Sequence, residues 1–143
     1  ETMKMVDILL VEDNPGDIRL TQEAMREAGM SNALHVAKNG YSALNFLRRE
    51  GEFENAPRPD LVLLDLNLPK LNGKEVLRAM KDDFHLRRIP VIVLSTSDAI
   101  RDVLDSYDLH ANCYINKPVD FDDFLRVVQS IGCFWLQTAK LPT

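Results

Sequence analysis

Leu61-Val62-Leu63-Leu64-Asp65 is the stretch from which the fold follows: four apolar residues with no polar alternation, ended by a carboxylate. A strand with one wet face alternates apolar and polar residues, whereas an unbroken apolar run suits a strand covered on both faces of a parallel sheet. The same grammar holds on either side of it. Val6 to Val11 reads as a buried strand ending at Glu12-Asp13-Asn14, and Leu34 to Ala37 as a second, broken by Asn39-Gly40. Pro90 introduces Val91 to Leu94, and Cys113-Tyr114-Ile115-Asn116 is a short fifth strand stopped by Lys117-Pro118. Helical patterns fill the gaps. Asn14 caps the first and Pro15 suits its first position; Ile18, Leu20, Ala24, Met25 and Ala28 are its apolar residues, with Gly29 as the stop. Tyr41, Ala43, Leu44, Phe46 and Leu47 mark the second helix, and Val76, Leu77 and Met80 the third. Ser95-Thr96-Ser97-Asp98 turns into the fourth, carrying Ile100, Val103 and Leu104, and the last starts near Phe121 with Phe124, Leu125, Val128 and Ile131 on one face. Arg48 to Asp60, with Pro57 and Pro59, is a loop. Five strands alternating with five helices predict an α/β fold: a five-stranded parallel sheet with helices on both sides and right-handed crossovers.

The chain has 143 residues, the size of one domain able to bury a real core. Residues 1–5 read as a lead-in, native or left over from expression, and residues 6–143 as the domain itself, with an extended C-terminal helix and no output domain after it. Residues 1–5 lack the apolar centre of a secretory signal, and no apolar run is long enough to span a bilayer. A net charge of -5 without a dense Lys/Arg stretch argues against nucleic acid as a partner. Cys113 and Cys133 fit neither a redox pair nor a zinc site and read as buried thiols in a reducing cytoplasm. His35, His85 and His110 are scattered and read as structural or surface residues.

The chemistry lies in where the polar residues fall. Glu12 and Asp13 end the first strand, Asp65 the third, Ser95 the fourth and Lys117 the fifth. In an open parallel sheet the carboxyl ends of the strands meet at one edge, where ligands bind. Three carboxylates in one pocket repel each other, and a divalent cation resolves this; an oxygen-only donor set suits Mg²⁺. Mg²⁺ attracts a phosphoryl group, for which Lys117 offers a positive charge and Ser95 a hydroxyl, with Asp65 as candidate nucleophile. Singly, each residue has a plainer reading: acidic strand ends are turn formers or caps, Lys117 a surface lysine, Ser95 a turn residue. Their convergence on one edge favours the chemical reading.

On these residues the chain resembles the receiver domains of two-component response regulators. The matching elements are Val11-Glu12-Asp13-Asn14, Leu63 to Pro69 with Gly73, Pro90 to Ser95, and Tyr114-Ile115-Asn116-Lys117-Pro118. The resemblance implies a flavodoxin-like, doubly wound (βα)5 fold with strand order 2-1-3-4-5. It implies Asp65 as phosphoacceptor; Glu12, Asp13, Asp65 and the backbone carbonyl of Asn67 as Mg²⁺ ligands; Ser95 as switch hydroxyl; Lys117 as the phosphoryl-binding lysine; and Tyr114 as the aromatic switch. The Lys117-Pro118 bond would be cis, and Asn67 and Ser97 would tune phosphate lifetime. Ser95 stands where many members have Thr, and Thr96 where a small residue is usual. A closer resemblance is carried by Glu12 to Leu20, Ala56 to Asp60, Ala111 to Ile115 and Phe134-Trp135-Leu136. It is to small single-domain regulators paired with phytochrome-type histidine kinases, which implies such a kinase as partner and the cytoplasm as location.

Phosphorylation adds about -1.5 to -2 units of charge and three acceptor oxygens. Ser95 meeting one of them would let Tyr114 rotate inward and change the face made by the fourth helix, fifth strand and fifth helix. Phe134, Trp135 and Leu136 either fold back over the core or form an apolar patch, and the patch predicts a homodimer with Trp135 near its centre. Two other functions compete. An aspartate-based phosphohydrolase usually has a second Asp where Asn67 stands, and would be a true metabolic enzyme. A scaffold that is never phosphorylated typically loses an acidic residue or the lysine, and this chain keeps them all.

Overall fold

The computed structural model describes residues 6–27, 32–97, 99–138 and 140–142. The elements are β1 (Val6–Val11), α1 (Pro15–Glu27), β2 (Asn32–Ala37), α2 (Gly40–Arg48), β3 (Leu61–Leu64), α3 (Gly73–Asp82), β4 (Val91–Ser95), α4 (Ile100–Asp108), β5 (Cys113–Asn116) and α5 (Phe121–Ile131). The five strands form one parallel sheet in the order β2-β1-β3-β4-β5, as the sequence predicts.

Period-two geometry explains the core. Successive strand residues face opposite sides of the sheet, so each apolar run feeds two hydrophobic layers. Leu9, Val11, Val62, Leu64, Val91 and Val93 pack with residues of α2 and α3 on one side. Ile8, Leu10, Leu61, Leu63, Ile92 and Leu94 pack with Ile18, Ala24 and Met25 of α1 and Phe124, Val128 and Ile131 of α5 on the other. All four residues of β3 are fully buried, each contributing about 1.5–3 kcal/mol. Truncating Leu63 to Ala would cost about 2–5 kcal/mol by leaving a cavity between strand and helix.

Capping sets where helices start. The Asn14 side chain accepts the Asp17 N–H at 3.1 Å, and Asn72 and Glu75 form a reciprocal capping box on α3. Asp120 accepts the Asp122 and Asp123 N–H groups at the start of α5. Gly73 is required by close approach: a Cβ there would lie 2.5 Å from the Asp65 carbonyl oxygen and 2.6 Å from the Leu66 Cα. The first turn of α3 is thereby seated directly on the backbone of Asp65.

Several expectations are corrected. β2 begins at Asn32 rather than Leu34, and the loop before β3 holds a 3-10 turn at Gly51–Phe53. Residues Ala28, Gly29 and Asp98, read as helix end, stop and turn, lie outside the described residues. Cys133, which follows α5, is exposed, and Cys113 is only half-buried, the latter because β5 is an edge strand with a single neighbour; what burial there is raises the Cys113 thiol pKa. Past α5 the chain continues as a π-helical run, Gly132–Thr138. The tail divides between its two readings. Trp135 packs on the α1/α5 core layer, while Phe134 is 54% exposed and stands edge-on to Trp135 with ring centres 5.3 Å apart. The Leu136 side chain lies outside what is described.

Candidate metal and phosphoacceptor site

The register explains why distant residues meet. Val11 is paired with Ala37 on one side and Leu64 on the other, and Ser95 with Asn116. Glu12, Asp65 and Lys117 therefore leave the sheet at one edge. The Glu12 N–H donates to Ala37 O at 3.0 Å, Asp65 N–H to Val11 O at 3.0 Å, and Lys117 N–H to Ser95 O at 2.6 Å.

Carboxylate oxygens of Glu12, Asp13 and Asp65 lie within 4.8 Å of one another. Glu12 is 3% exposed and Asp65 9%, while Asp13 is exposed. The Lys117 ammonium bridges Glu12 Oε1 at 2.6 Å, Asp17 Oδ2 at 2.8 Å and Asp65 Oδ2 at 3.4 Å. Glu12 Oε2 also accepts the N–H groups of Asp13 and Asn14, and Asp65 Oδ1 accepts the Asn67 N–H at 3.0 Å. Ser95 is fully buried, with its hydroxyl oxygen accepting the Ser97 N–H at 3.3 Å.

Three carboxylates thus contact one ammonium, and Asp13 adds a fourth beside Glu12 and Asp65. Burial raises the Glu12 pKa, and the charge of Asp65 adds to this while Lys117 offsets part of it. Burial alone would lower the Lys117 pKa, but hydrogen bonds to Asp17 and Glu12 and the charge of Asp65 raise it, so the ammonium stays charged. The uncompensated negative charge, offered by hard oxygens alone, fits a divalent cation of the Mg²⁺ type held by Glu12, Asp13 and Asp65.

Two site residues behave differently from expectation. The Lys117-Pro118 bond, expected cis, is trans. Trans is the ordinary preference of an X–Pro bond by about 0.5–1 kcal/mol, and Lys117 is aimed here by its bond to Ser95 O and by three carboxylates. Tyr114 is already packed against the core layer shared with α2 and α3, its hydroxyl donating to Ser97 O at 2.6 Å. Thr96 is exposed, so its bulk does not crowd the pocket. Asp17 was not singled out as a site residue; its signal is the Asn14-x-x-Asp17 capping spacing, which places it in the first turn of α1 beside the strand ends. His35 bonds Asp7 and packs on Phe46, away from the site.

A family model for the response regulator receiver domain matches residues 8–129. Response regulator Rcp1 of Synechocystis sp. is 49% identical over 135 residues, covering 94% of this chain and 92% of Rcp1. Among solved structures, the phosphorylated cyanobacterial phytochrome response regulator RcpA superposes with a TM-score of 0.94 at 50% identity, over 98% of this chain and 100% of that one. The Mn²⁺-bound form of Rcp1 gives a TM-score of 0.92 at 48% identity, over 96% and 99%.

Proposed function

The chain belongs to the response regulator receiver domain family, and on that premise we propose that it takes a phosphoryl group from a histidine kinase onto Asp65 and switches its α4-β5-α5 face for a protein partner. The carrying observation is the convergence of the Glu12, Asp13 and Asp65 oxygens within 4.8 Å, with Lys117 in contact with Asp65.

In this reading an Asp65 carboxylate oxygen attacks the phosphorus. The P–N bond of the kinase phosphohistidine breaks, its electron pair returns to the imidazole, and an acyl phosphate forms on Asp65. Mg²⁺ at Glu12, Asp13 and Asp65, with the Asn67 carbonyl as a further ligand, supplies charge neutralisation when bound. Lys117 donates to a phosphoryl oxygen, drawing on an ammonium now shared among carboxylates. Ser95 supplies the hydroxyl for another. Asn67 and Ser97 flank the group and tune its lifetime. Similarity to RcpA, named as a phytochrome response regulator, supports a phytochrome-type kinase as the donor, and the cytoplasm as the place where the two meet.

The switched face has the surface for protein contact. Ile100, Leu104 and Tyr107 of α4, and Val119 and Phe134 flanking α5, are large apolar residues left exposed. A homodimer through this face is one use of it, with Phe134 rather than the half-buried Trp135 at the contact. The phosphohydrolase reading is disfavoured by Asn67, an amide where a proton donor is needed.

The test is intact mass after incubation with acetyl phosphate and Mg²⁺. One phosphoryl adduct, dependent on Mg²⁺ and absent from Asp65→Asn, is expected. No adduct from either acetyl phosphate or a phosphorylated cognate kinase, with the fold intact, would refute the function.

A further inference from the structure

Ser97, just past β4, is a junction. Its N–H donates to Ser95 Oγ at 3.3 Å, its carbonyl accepts the Tyr114 hydroxyl at 2.6 Å, and its own hydroxyl donates to Asp102 Oδ2 at 2.6 Å while accepting the Ala99 N–H at 3.3 Å. The other oxygen of Asp102 accepts the Lys74 ammonium at 2.5 Å, and Lys74 also reaches Asp105 Oδ2 at 3.1 Å. Lys74 follows Gly73 in the first turn of α3, the turn seated on the Asp65 backbone. A continuous chain of polar contacts therefore runs from α3, through α4, to the loop between β4 and α4 and on to Tyr114.

This chain takes the place of a side-chain cap. Ala99, where α4 opens, offers no capping side chain, and Ser97, through its bonds to Ser95, Ala99 and Asp102, is what ties the preceding loop to α4. The charge-assisted contacts of Lys74 and Asp102 are the strong kind. Lys74 and then Ser97 hold the Asp102 carboxyl below its usual range, and Asp102 raises Lys74 in turn.

We infer that the Lys74–Asp102 pair fixes Ser97 so that the β4–α4 loop and Tyr114 are set in the packed-in arrangement before any phosphoryl group arrives. The inference rests on the reading of Tyr114 as the switch residue. Lys74 and Asp102 are then positioning residues: they touch neither metal nor phosphoryl group, and they set the basal fraction of the domain in the packed-in state. A phosphoryl group shifts that equilibrium only by its preference for one arrangement, so the pair decides how far there is left to shift.

The experiment is ¹⁹F NMR of the unphosphorylated protein labelled with 3-fluorotyrosine. It has three tyrosines, Tyr41, Tyr107 and Tyr114, assigned by single Phe replacements. Asp102→Ala and Lys74→Met should each move the Tyr114 resonance toward its solvent-exposed position, lowering the ratio of packed-in to exposed ring about tenfold, equivalent to about 1.4 kcal/mol. Lys74→Arg should retain the native position. Adding Asp102→Ala to Ser97→Ala should change little beyond Ser97→Ala alone. A Tyr114 resonance unmoved in both Asp102→Ala and Lys74→Met, with native thermal melts, would overturn the inference, as would fully additive effects of Ser97→Ala and Asp102→Ala. The readout needs no phosphoryl transfer, so a protein that fails to take up phosphate refutes the proposed function and still decides this point.

Discussion

Lys117→Met separates the stabilising and chemical roles of the ammonium. Methionine keeps most of the length and apolar volume of lysine but leaves Glu12, Asp17 and Asp65 without the group that sits 2.6, 2.8 and 3.4 Å from them. Two of these carboxylates are nearly inaccessible to water. Removing one partner from a buried ion pair costs about 3–5 kcal/mol, because the remaining charge stays buried and unpaired. That is a large part of the roughly 5–15 kcal/mol by which a domain is stable. In chelator at neutral pH, urea denaturation of the variant should show a loss near the lower end of this range, since Asp17 is partly solvated. Two conditions should shrink the loss. Acidification protonates Glu12 early and removes one of the opposed charges. Mg²⁺ bound by the acidic cluster of the folded state would add about 2.7 kcal/mol to the variant at a hundred times its Kd, of which a native protein binding tenfold more weakly would gain about 1.4 kcal/mol, so the loss would shrink by the remainder. Because the ammonium no longer competes for the same oxygens, Mg²⁺ itself should bind tighter, by roughly tenfold, a modest fraction of the about 4 kcal/mol that unit charges exert at 4 Å in a medium of ε near 20. Phosphoryl uptake should nevertheless collapse. A variant as stable as the native protein in chelator, with unchanged Mg²⁺ affinity by calorimetry, would refute the charge argument.

Other consequences follow from the same geometry. Gly73→Ala pushes a methyl onto the Asp65 carbonyl and Leu66 Cα; it should cost about 1–3 kcal/mol by overpacking and slow phosphorylation by acetyl phosphate, and a neutral result in both assays would contradict the close packing. Burial holds the Glu12 carboxyl above its usual range, helped by Asp65. The folded state therefore takes up this proton before the unfolded chain does. The group adds stability as pH falls through its folded value, and withdraws a metal ligand over the same range. Mg²⁺ affinity should accordingly begin to fall above the ordinary glutamate value of about 4.3; an affinity that stays flat down to that value would speak against it. If the α4-β5-α5 face forms a dimer, Phe134→Ser should lower the mass seen by light scattering without lowering the melting temperature, since Phe134 is 54% exposed. Trp135→Ser, in contrast, should destabilise the monomer, because Trp135 packs on the core.

The parts of the fold legible in the sequence are those set by local pattern. Unbroken apolar runs at Ile8–Val11, Leu61–Leu64 and Val91–Leu94 require a sheet covered on both faces, and the two core layers are the period-two consequence of those runs. The convergence of the polar strand ends is legible for the same reason: a polar residue at the carboxyl end of each buried strand has one edge to occupy. Glu12, Asp13, Asp65 and Lys117 do meet there. The partial exposure of Cys113 is not legible, because composition says how often thiols are buried but not that β5 has an open side.

What the sequence did not disclose is how charge is shared once the elements have docked. Asp17 and Lys117 are 100 residues apart, and Lys74 and Asp102 are 28 apart. No helical or strand period links either pair; they meet because α1 and α5 pack together on one side of the sheet and because α3 and α4 touch on the other. A strand-end pattern identifies which groups can reach the site. Long side chains then distribute themselves to leave the least unpaired charge, and that choice is made only in the packed structure. Lys117 is the clearest case: from sequence it is a single cation reserved for a phosphoryl group, whereas in the folded domain it is shared among three carboxylates. In the proposed reaction, a move of Lys117 to a phosphoryl oxygen would leave Asp17 and Glu12 to be satisfied by something else, and a cation held by the acidic cluster would do so.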